Sequence, residues 1–283
     1  MLEVLVLLLA AQDPPATDLG WKWRKGERVR YEIERRIRID HQPKGDVSEG
    51  RTLLGVVLEV DEGGAGGSAK VRITLDRTAV SGGETGAKVD YDSDRDRGVP
   101  EHTYARKLAN LVGKSFSTRL DGAGAWSDAG DFEKLVLRAM EIEPGRFTAK
   151  DLEVEIRRVS VPLQNLMEQA FGVAPSKPVK RGDPWENRIG RFDLGASRVS
   201  LVGSSTLKEM RGREAVIAQS LACEFSDKSG PAGVAKGSGE VVWDSEVGRL
   251  ASMNSTLSLT TAAEIVEVTL DAKLSPRKDP VGK

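Results

Sequence analysis

The chain has 283 residues, 39% hydrophobic and 30% charged, a composition too apolar for a disordered polymer and too polar for a membrane-embedded one. Its 42 lysines and arginines balance 43 aspartates and glutamates, so no net field draws it to nucleic acid or to an anionic membrane surface. The single cysteine excludes an intramolecular disulfide and any multi-cysteine metal site.

Val4 to Ala11 is an unbroken apolar run followed by Gln12-Asp13-Pro14-Pro15, which predicts a short signal-peptide core and a small-residue processing region. Glu3 stands where a basic residue is usual, and the run is far shorter than the roughly 20 residues a membrane-spanning helix needs. Residues 1–20 are assigned to a signal peptide and linker. The mature protein is expected outside the cytoplasm, periplasmic or extracellular, and not lipid-anchored, because no cysteine lies near the processing point.

Residues 21–103 read as a first β meander. Val29, Tyr31, Ile33, Ile37 and Ile39 alternate with Arg28, Arg30, Glu32, Glu34, Arg36 and Arg38, the pattern of an antiparallel strand with one wet face. Thr52 to Val60 and Ala69 to Leu75 form the next strands, around the glycine-rich loop Asp61 to Ser68. A phosphate-cradling role for that loop is rejected, because Val71, Ile73 and Leu75 continue at strand period where a helix would have to open.

Residues 104–176 are a helical and strand connector. Tyr104, Leu108, Leu111 and Val112 keep helical spacing up to Gly113, and a strand runs forward from Lys114, which removes Gly113-Lys114-Ser115 as a nucleotide-binding loop. A second helix places Phe132, Leu135, Val136 and Ala139 on one face, with Asp128 or Asp131 as its cap. A third is predicted from Ser160 as N-cap and Pro162 in the first turn through Leu163, Leu166, Met167, Ala170 and Phe171 to Gly172. Thr148 to Arg158 stays open between a capped helix start and a strand.

Residues 177–275 are a second meander, with strands at Trp185–Phe192, Val199–Leu207, Glu214–Phe225, Glu240–Trp243, Leu250–Leu259 and Ile265–Leu274; residues 276–283 are a polar tail. Lys25-Gly26-Glu27 and Arg181-Gly182-Asp183 open the two meanders, and Tyr91-Asp92-Ser93 and Trp243-Asp244-Ser245 close them, which suggests an internal duplication. The fold class expected is mainly β (α+β): two related antiparallel meanders in curved sheets around a few central helices, like a half-barrel.

Lys25-Gly26 with Tyr31, Tyr91-Asp92-Ser93-Asp94, and Leu111-Val112-Gly113-Lys114-Ser115-Phe116 running through Leu120, Gly124 and Trp126 to Gly130 resemble the bacterial family catalogued as domain of unknown function 6263. The resemblance spans most of the chain after residue 20. It implies an exported, β-rich envelope protein with no assigned activity, although many members look like lipoproteins and this chain lacks their cysteine.

No residue set declares a chemistry, and no catalytic, cofactor or metal residue is assigned. His41 and His102 lie in polar contexts without a ligand partner at metal spacing. Asp90, Asp92, Asp94, Asp96 and Glu101 fall where a calcium loop would place its oxygens, but Arg95 occupies the glycine position, so a self-neutralised loop is the better reading. Cys223 alternates with Leu221 and Phe225 as a buried inert thiol would. The leading expectation is non-enzymatic binding or carriage of a hydrophobic ligand, without cofactor, nucleic-acid partner or transmembrane segment. The alternatives are an envelope interaction module and a hydrolase whose site is invisible in sequence.

Overall fold

The computed structural model describes residues 15–42, 45–64, 67–83, 88–127, 130–140, 148–194, 197–225, 234–260 and 264–275. The apolar run Val4 to Ala11, Asp128 and the tail after Ser275 lie outside them. In chain order the elements are β1 (Arg28–His41), β2 (Asp46–Gly63), β3 (Ala69–Gly83), β4 (Val89–Asp92), α1 (Thr103–Ala109), β5 (Ser115–Leu120) and β6 (Trp126–Ser127). Then come α2 (Gly130–Ala139), α3 (Ala149–Phe171), β7 (Pro184–Leu194), β8 (Ser197–Arg211), β9 (Glu214–Phe225), β10 (Val234–Asp244), β11 (Arg249–Thr260) and β12 (Glu264–Ser275). The mainly β architecture with central helices is the one that the alternation predicts.

The two meanders are not separate sheets. They join in one antiparallel sheet in the order β6-β5-β3-β2-β1-β12-β11-β10-β9-β8-β7, with β4 also on β3. The seam is β1 against β12, in register from Arg30↔Ser275 to His41↔Glu264. Joining them there covers the free edge of each meander, which would otherwise invite pairing with another chain.

The helices show that the sheet is curled. α3 packs against β7, at one edge, and also against β1, six strands inward. In a flat sheet those strands would lie roughly 29 Å apart, nearly the whole length of the 23-residue α3, and the curl shows in Trp21, which meets Tyr31 of β1 and Trp243 of β10 at once, at 6.4 and 4.8 Å. α2 in turn joins α3 to β5 near the opposite edge. Together they fill the concavity over the side chains that alternation turns inward: Tyr31 and Ile33, Val56 and Leu58, Ile217, Val241 and Trp243, all fully buried, meet Phe132, Leu163, Met167 and Phe171 in one core.

Two helical starts differ from the sequence expectation. α3 begins at Ala149 rather than after Ser160: Thr148 is its N-cap and accepts a hydrogen bond from the Asp151 amide, so the open stretch Thr148 to Arg158 is helix. Pro162 is therefore internal and Ser160 buried. A proline there costs a ladder hydrogen bond, and the apolar stripe from Val159 to Phe171, buried throughout, offsets it. α2 already includes Asp131, whose carboxylate takes Lys134 instead of capping the helix.

The turns that open and close the meanders share their geometry. Gly26 and Gly182 both have positive φ (79° and 88°), where a side chain would be strained, and their amides donate to Val60 and Leu207 at 2.8 and 2.9 Å. At the closing turns Asp92 is paired with Arg77 and Asp244 with Arg213, and each carboxylate accepts the amide two residues on.

Candidate functional site

The inner face of the sheet divides into a covered end, a polar row and an open end. At the covered end, the segment before β1 crosses the mouth of the curl as a strap. Leu19 is fully buried, Thr17 pairs with Val179, the Trp21 amide donates to Gly122, and the Lys22 amide to Gly248. Trp21 stacks on Trp23 with ring centres 4.6 Å apart and meets Tyr31, Phe171 and Trp243 edge-on at 6.4, 5.9 and 4.8 Å. Its indole N–H donates to the Phe171 carbonyl, and the Tyr31 hydroxyl to Leu250. Burial pushes the Tyr31 pKa well above its ordinary value. The glycine turn after β5 makes this possible: at Gly124, φ is +83° and a Cβ would lie 2.0 Å from the Phe171 carbonyl. This end is a solid core.

The polar row crosses the sheet at one level. Register places Thr52 and Leu270 on either side of Arg35, and continues through Ser255, Gly239 and Gln219 to Ser205. Ser255 on β11 donates to Gln219 on β9 at 2.8 Å, reaching over the intervening β10. Only glycine permits that reach, because a Cβ at Gly239 would stand 2.2 Å from the Ser255 hydroxyl oxygen. Asn187 donates to Ser205 at 2.7 Å. Two buried donors in the row, Gln219 Nε2 and Arg35 Nε, have no acceptor among the described residues.

Arg35 is the anomaly of the row. It lies on the inward parity of β1, between Ile33 and Ile37, and makes no hydrogen bond or ion pair with any described residue. Burial lowers the pKa of its guanidinium, with the nearby Tyr104 hydroxyl of α1 opposing that shift. Tyr104 in turn has its pKa raised by burial and lies within hydrogen-bonding reach of Thr52. The sequence carried a signal for this residue: in the alternation from Val29 to Ile39, position 35 is the one inward position that is not apolar or aromatic.

Beyond the row the inner face is apolar again. Leu221 and Leu257, with Ala235 and Val268 against them, form a second cluster that contains no helix residue and is separate from the main core. Ile37 and Ile39 of β1 continue it and are half-buried. At the rim, His41, Ser48 and Glu264 line up across β2, β1 and β12: Ser48 Oγ is 3.3 Å from His41 Nε2, and Glu264 Oε1 is 3.2 Å from Nδ1. That is the connectivity of a hydrolase triad. Only His41 among the three is singled out by sequence, since the partners meet it across strands.

The outer face has a different chemistry. Arg30 holds Asp76 at 2.6 Å and Glu32 at 3.1 Å, while Arg77 reaches Glu32 and Asp92 at 3.5 and 2.5 Å. Burial by itself would raise the pKa of Glu32, but Arg30, Lys273 and Arg77 reverse the shift and lower it. A groove of about 590 Å³ over the central strands has a mixed lining, with Glu32, Glu34, Arg36, Asp271 and Lys273 beside Leu53, Val242, Met253 and Ala272. The acidic run joins this network. Arg77 grips Asp92, Arg95 spans Asp90 and Asp96, and Asp96 is held down at about 2 chiefly by Arg95. Among the described residues no three metal-ligating side chains converge. His102 is exposed at the start of α1 and makes no capping hydrogen bond. Cys223 pairs in register with Leu201, and its side chain lies outside what is described.

No protein-family model matches the chain, and no curated protein matches it either. Among solved structures it is similar to lipovitellin, in a structure of lipid-protein interactions in that protein: TM-score 0.50, 10% identity, over 93% of this chain and 26% of that one. The chain thus spans about a quarter of the lipovitellin chain's length. Weaker likenesses are to DynF from the dynemicin biosynthesis pathway of Micromonospora chersina (TM-score 0.25, 7% identity, 99% of this chain and 95% of that one) and to a protein from Bacteroides fragilis described as exported, with a YmcC-like fold (TM-score 0.29, 9% identity, 93% and 100%). At those scores the latter two carry no weight. Lipovitellin bears on the fold alone: a broad, curled antiparallel sheet. No helix among the described residues is long and apolar enough to cross a membrane.

Proposed function

We propose that this is an exported binding protein that holds a hydrophobic small molecule against the open end of its inner face. The observation that carries the reading is the half-buried apolar surface of Ile37, Ile39 and Val268, lying over the second cluster of Leu221 and Leu257 and divided from the helix-filled core by a polar row. A sheet built only to fold would extend its helices over that area or make it polar. The likeness to lipovitellin, a protein of known lipid interactions, supports the same direction at the level of fold. Native mass spectrometry on protein purified from the envelope of its source cells tests it. Adducts with the mass of apolar metabolites are the expected result, and repeatedly ligand-free spectra would count against carriage.

The matched turns at Gly26 and Gly182, and at Asp92 and Asp244, support reading the two meanders as duplicated units. Both meanders run across the sheet in the same sense, as tandem copies would. Membership of the domain of unknown function 6263 family is retained as our reading of the motifs quoted above.

The Ser48–His41–Glu264 line favours a second reading, ester hydrolysis. Ser48 Oγ would bond to the acyl carbon as its proton passes to His41 Nε2; the alcohol would leave with that proton, and water would release the acid. It ranks second because Ser48 lies in a strand ladder, opposite Ile39, whose amides point along the sheet rather than towards a developing oxyanion. Hydrolysis of p-nitrophenyl butyrate that disappears in Ser48→Ala would promote it.

A further inference from the structure

The occupant of the open end is specified further by the donor left unpaired beside it. A guanidinium placed on an inward, apolar strand position loses hydration, and natural proteins compensate such a charge with a carboxylate or with several acceptors. Among the described residues Arg35, itself half-buried, has neither: its Nε is shut off from solvent without an acceptor, and Thr52 opposite it and Tyr104 nearby carry hydroxyls and no charge. The rest of the row does not supply the missing acceptor. Ser255 already gives its proton to Gln219 Oε1, and Gln219 Nε2 is itself a buried donor in want of a partner. The row therefore has an excess of donors, and the apolar surface begins one residue pair further along, at Ile37 opposite Val268.

We propose that Arg35 is an anion site for the head group of an amphiphile, with the Thr52 and Tyr104 hydroxyls beside it and the ligand's chain running over the half-buried Ile37, Val268 and Ile39 towards the rim. The head group is a carboxylate or a phosphate, both of which a guanidinium binds through paired N–H groups. The inference rests on the carrier reading and makes it specific. It also explains the level of the row: the head lies where the core ends, and the chain lies where no helix among the described residues joins the apolar cluster.

Laurate, dodecyl phosphate and dodecanol share a chain and differ in head group, so their binding to the purified chain, followed by displacement of an apolar fluorophore, isolates the head-group contribution. Wild-type protein is expected to bind one or both anions at least roughly tenfold more tightly than dodecanol, the scale of a desolvated charge-assisted hydrogen bond. Arg35→Met, which keeps the stem's length and removes the charge, is expected to abolish that preference and leave dodecanol binding intact. Because Arg35 is half-buried and only its Nε is shut off from solvent, the ligand-free Tm of the variant is expected to equal or exceed that of the wild type, so loss of anion binding at an undiminished Tm is not a folding defect. A preference for laurate over dodecyl phosphate identifies the head as a carboxylate, and the reverse as a phosphate. Equal binding of the anions and the alcohol, or an undiminished preference in Arg35→Met, overturns the Arg35 site while leaving hydrophobic carriage standing. Failure of all three compounds to bind overturns both.

Discussion

The covered and open ends of the inner face are built by the same strands with the same alternation, yet they reach opposite solutions. On β1, Tyr31 and Ile33 are completely buried, while Ile37 and Ile39, only four to eight residues along the same row, are half-exposed. What separates them is what lies opposite. Tyr31 faces Phe171 of α3 at 5.4 Å and the strap tryptophan at 6.4 Å, while the second cluster contains no helix residue. Strand patterning writes an apolar face; whether that face becomes core or binding surface is decided by helices and strap packed from elsewhere in the chain.

The sharpest way to break the comparison is at Trp21. Trp21→Ala removes one stacked and three edge-on aromatic contacts and the hydrogen bond to Phe171, and leaves the strap held by its backbone bonds to Gly122 and Gly248. Chemical denaturation is expected to show a loss of about 3–5 kcal/mol, the range for a buried large aromatic cut to alanine. A loss below about 1 kcal/mol would mean that the strap merely lies on the sheet.

Much of this architecture is legible in the sequence, and the illegible part has physical causes. The strand patterns of β1 and β12 are plain because one face of each is wet, so apolar residues recur at every second position with few breaks, Arg35 among them. The first turns of α3 are ambiguous because Leu152, Val154 and Ile156 fit a strand as well as a helix, and Pro162 imitates a helix start; the long buried stripe behind it outweighs the missing amide. The seam between β1 and β12 joins residues more than two hundred positions apart, which no local period reports. The same limit hides the candidate site. Arg35 is conspicuous only when inward parity is followed residue by residue, and Ser48 and Glu264 become partners of His41 only across strands.

A smaller effect is expected on the outer face, where charge rather than apolar contact organises the strands. Arg77 lowers the pKa of Asp92 by hydrogen-bonding its carboxylate, and Arg51, followed by Arg36, lowers that of Glu34. A folded-state pKa below the unfolded value gives stability that is full above the unfolded value, about pH 4, and is lost as pH falls through the folded value. Thermal melts should therefore stay nearly level from neutral pH down to about pH 5 and decline below about pH 4. Arg77→Met should cost about 1–2 kcal/mol at pH 7, an amount reduced by the partial exposure of the network. Its deficit relative to wild type should shrink as Asp92 protonates; a deficit independent of pH would assign Arg77 a packing role instead.

The smallest effect on stability, and the most telling for function, is expected at Ile37. Ile37→Ala trims a half-buried side chain that has no helix above it, so only part of the usual burial energy is lost and the cost in denaturation should stay below about 1 kcal/mol. The same three carbons would contact the chain of a bound amphiphile. At about 0.8 kcal/mol for each buried methylene equivalent, losing even half of that contact weakens binding of an apolar probe by roughly eightfold. Trp21→Ala should do the reverse among molecules that remain folded at low temperature, lowering stability severely while leaving probe affinity near wild type. The two ends of one strand would then separate into a part that makes the fold and a part that uses it, and a probe affinity indifferent to Ile37→Ala would remove the second.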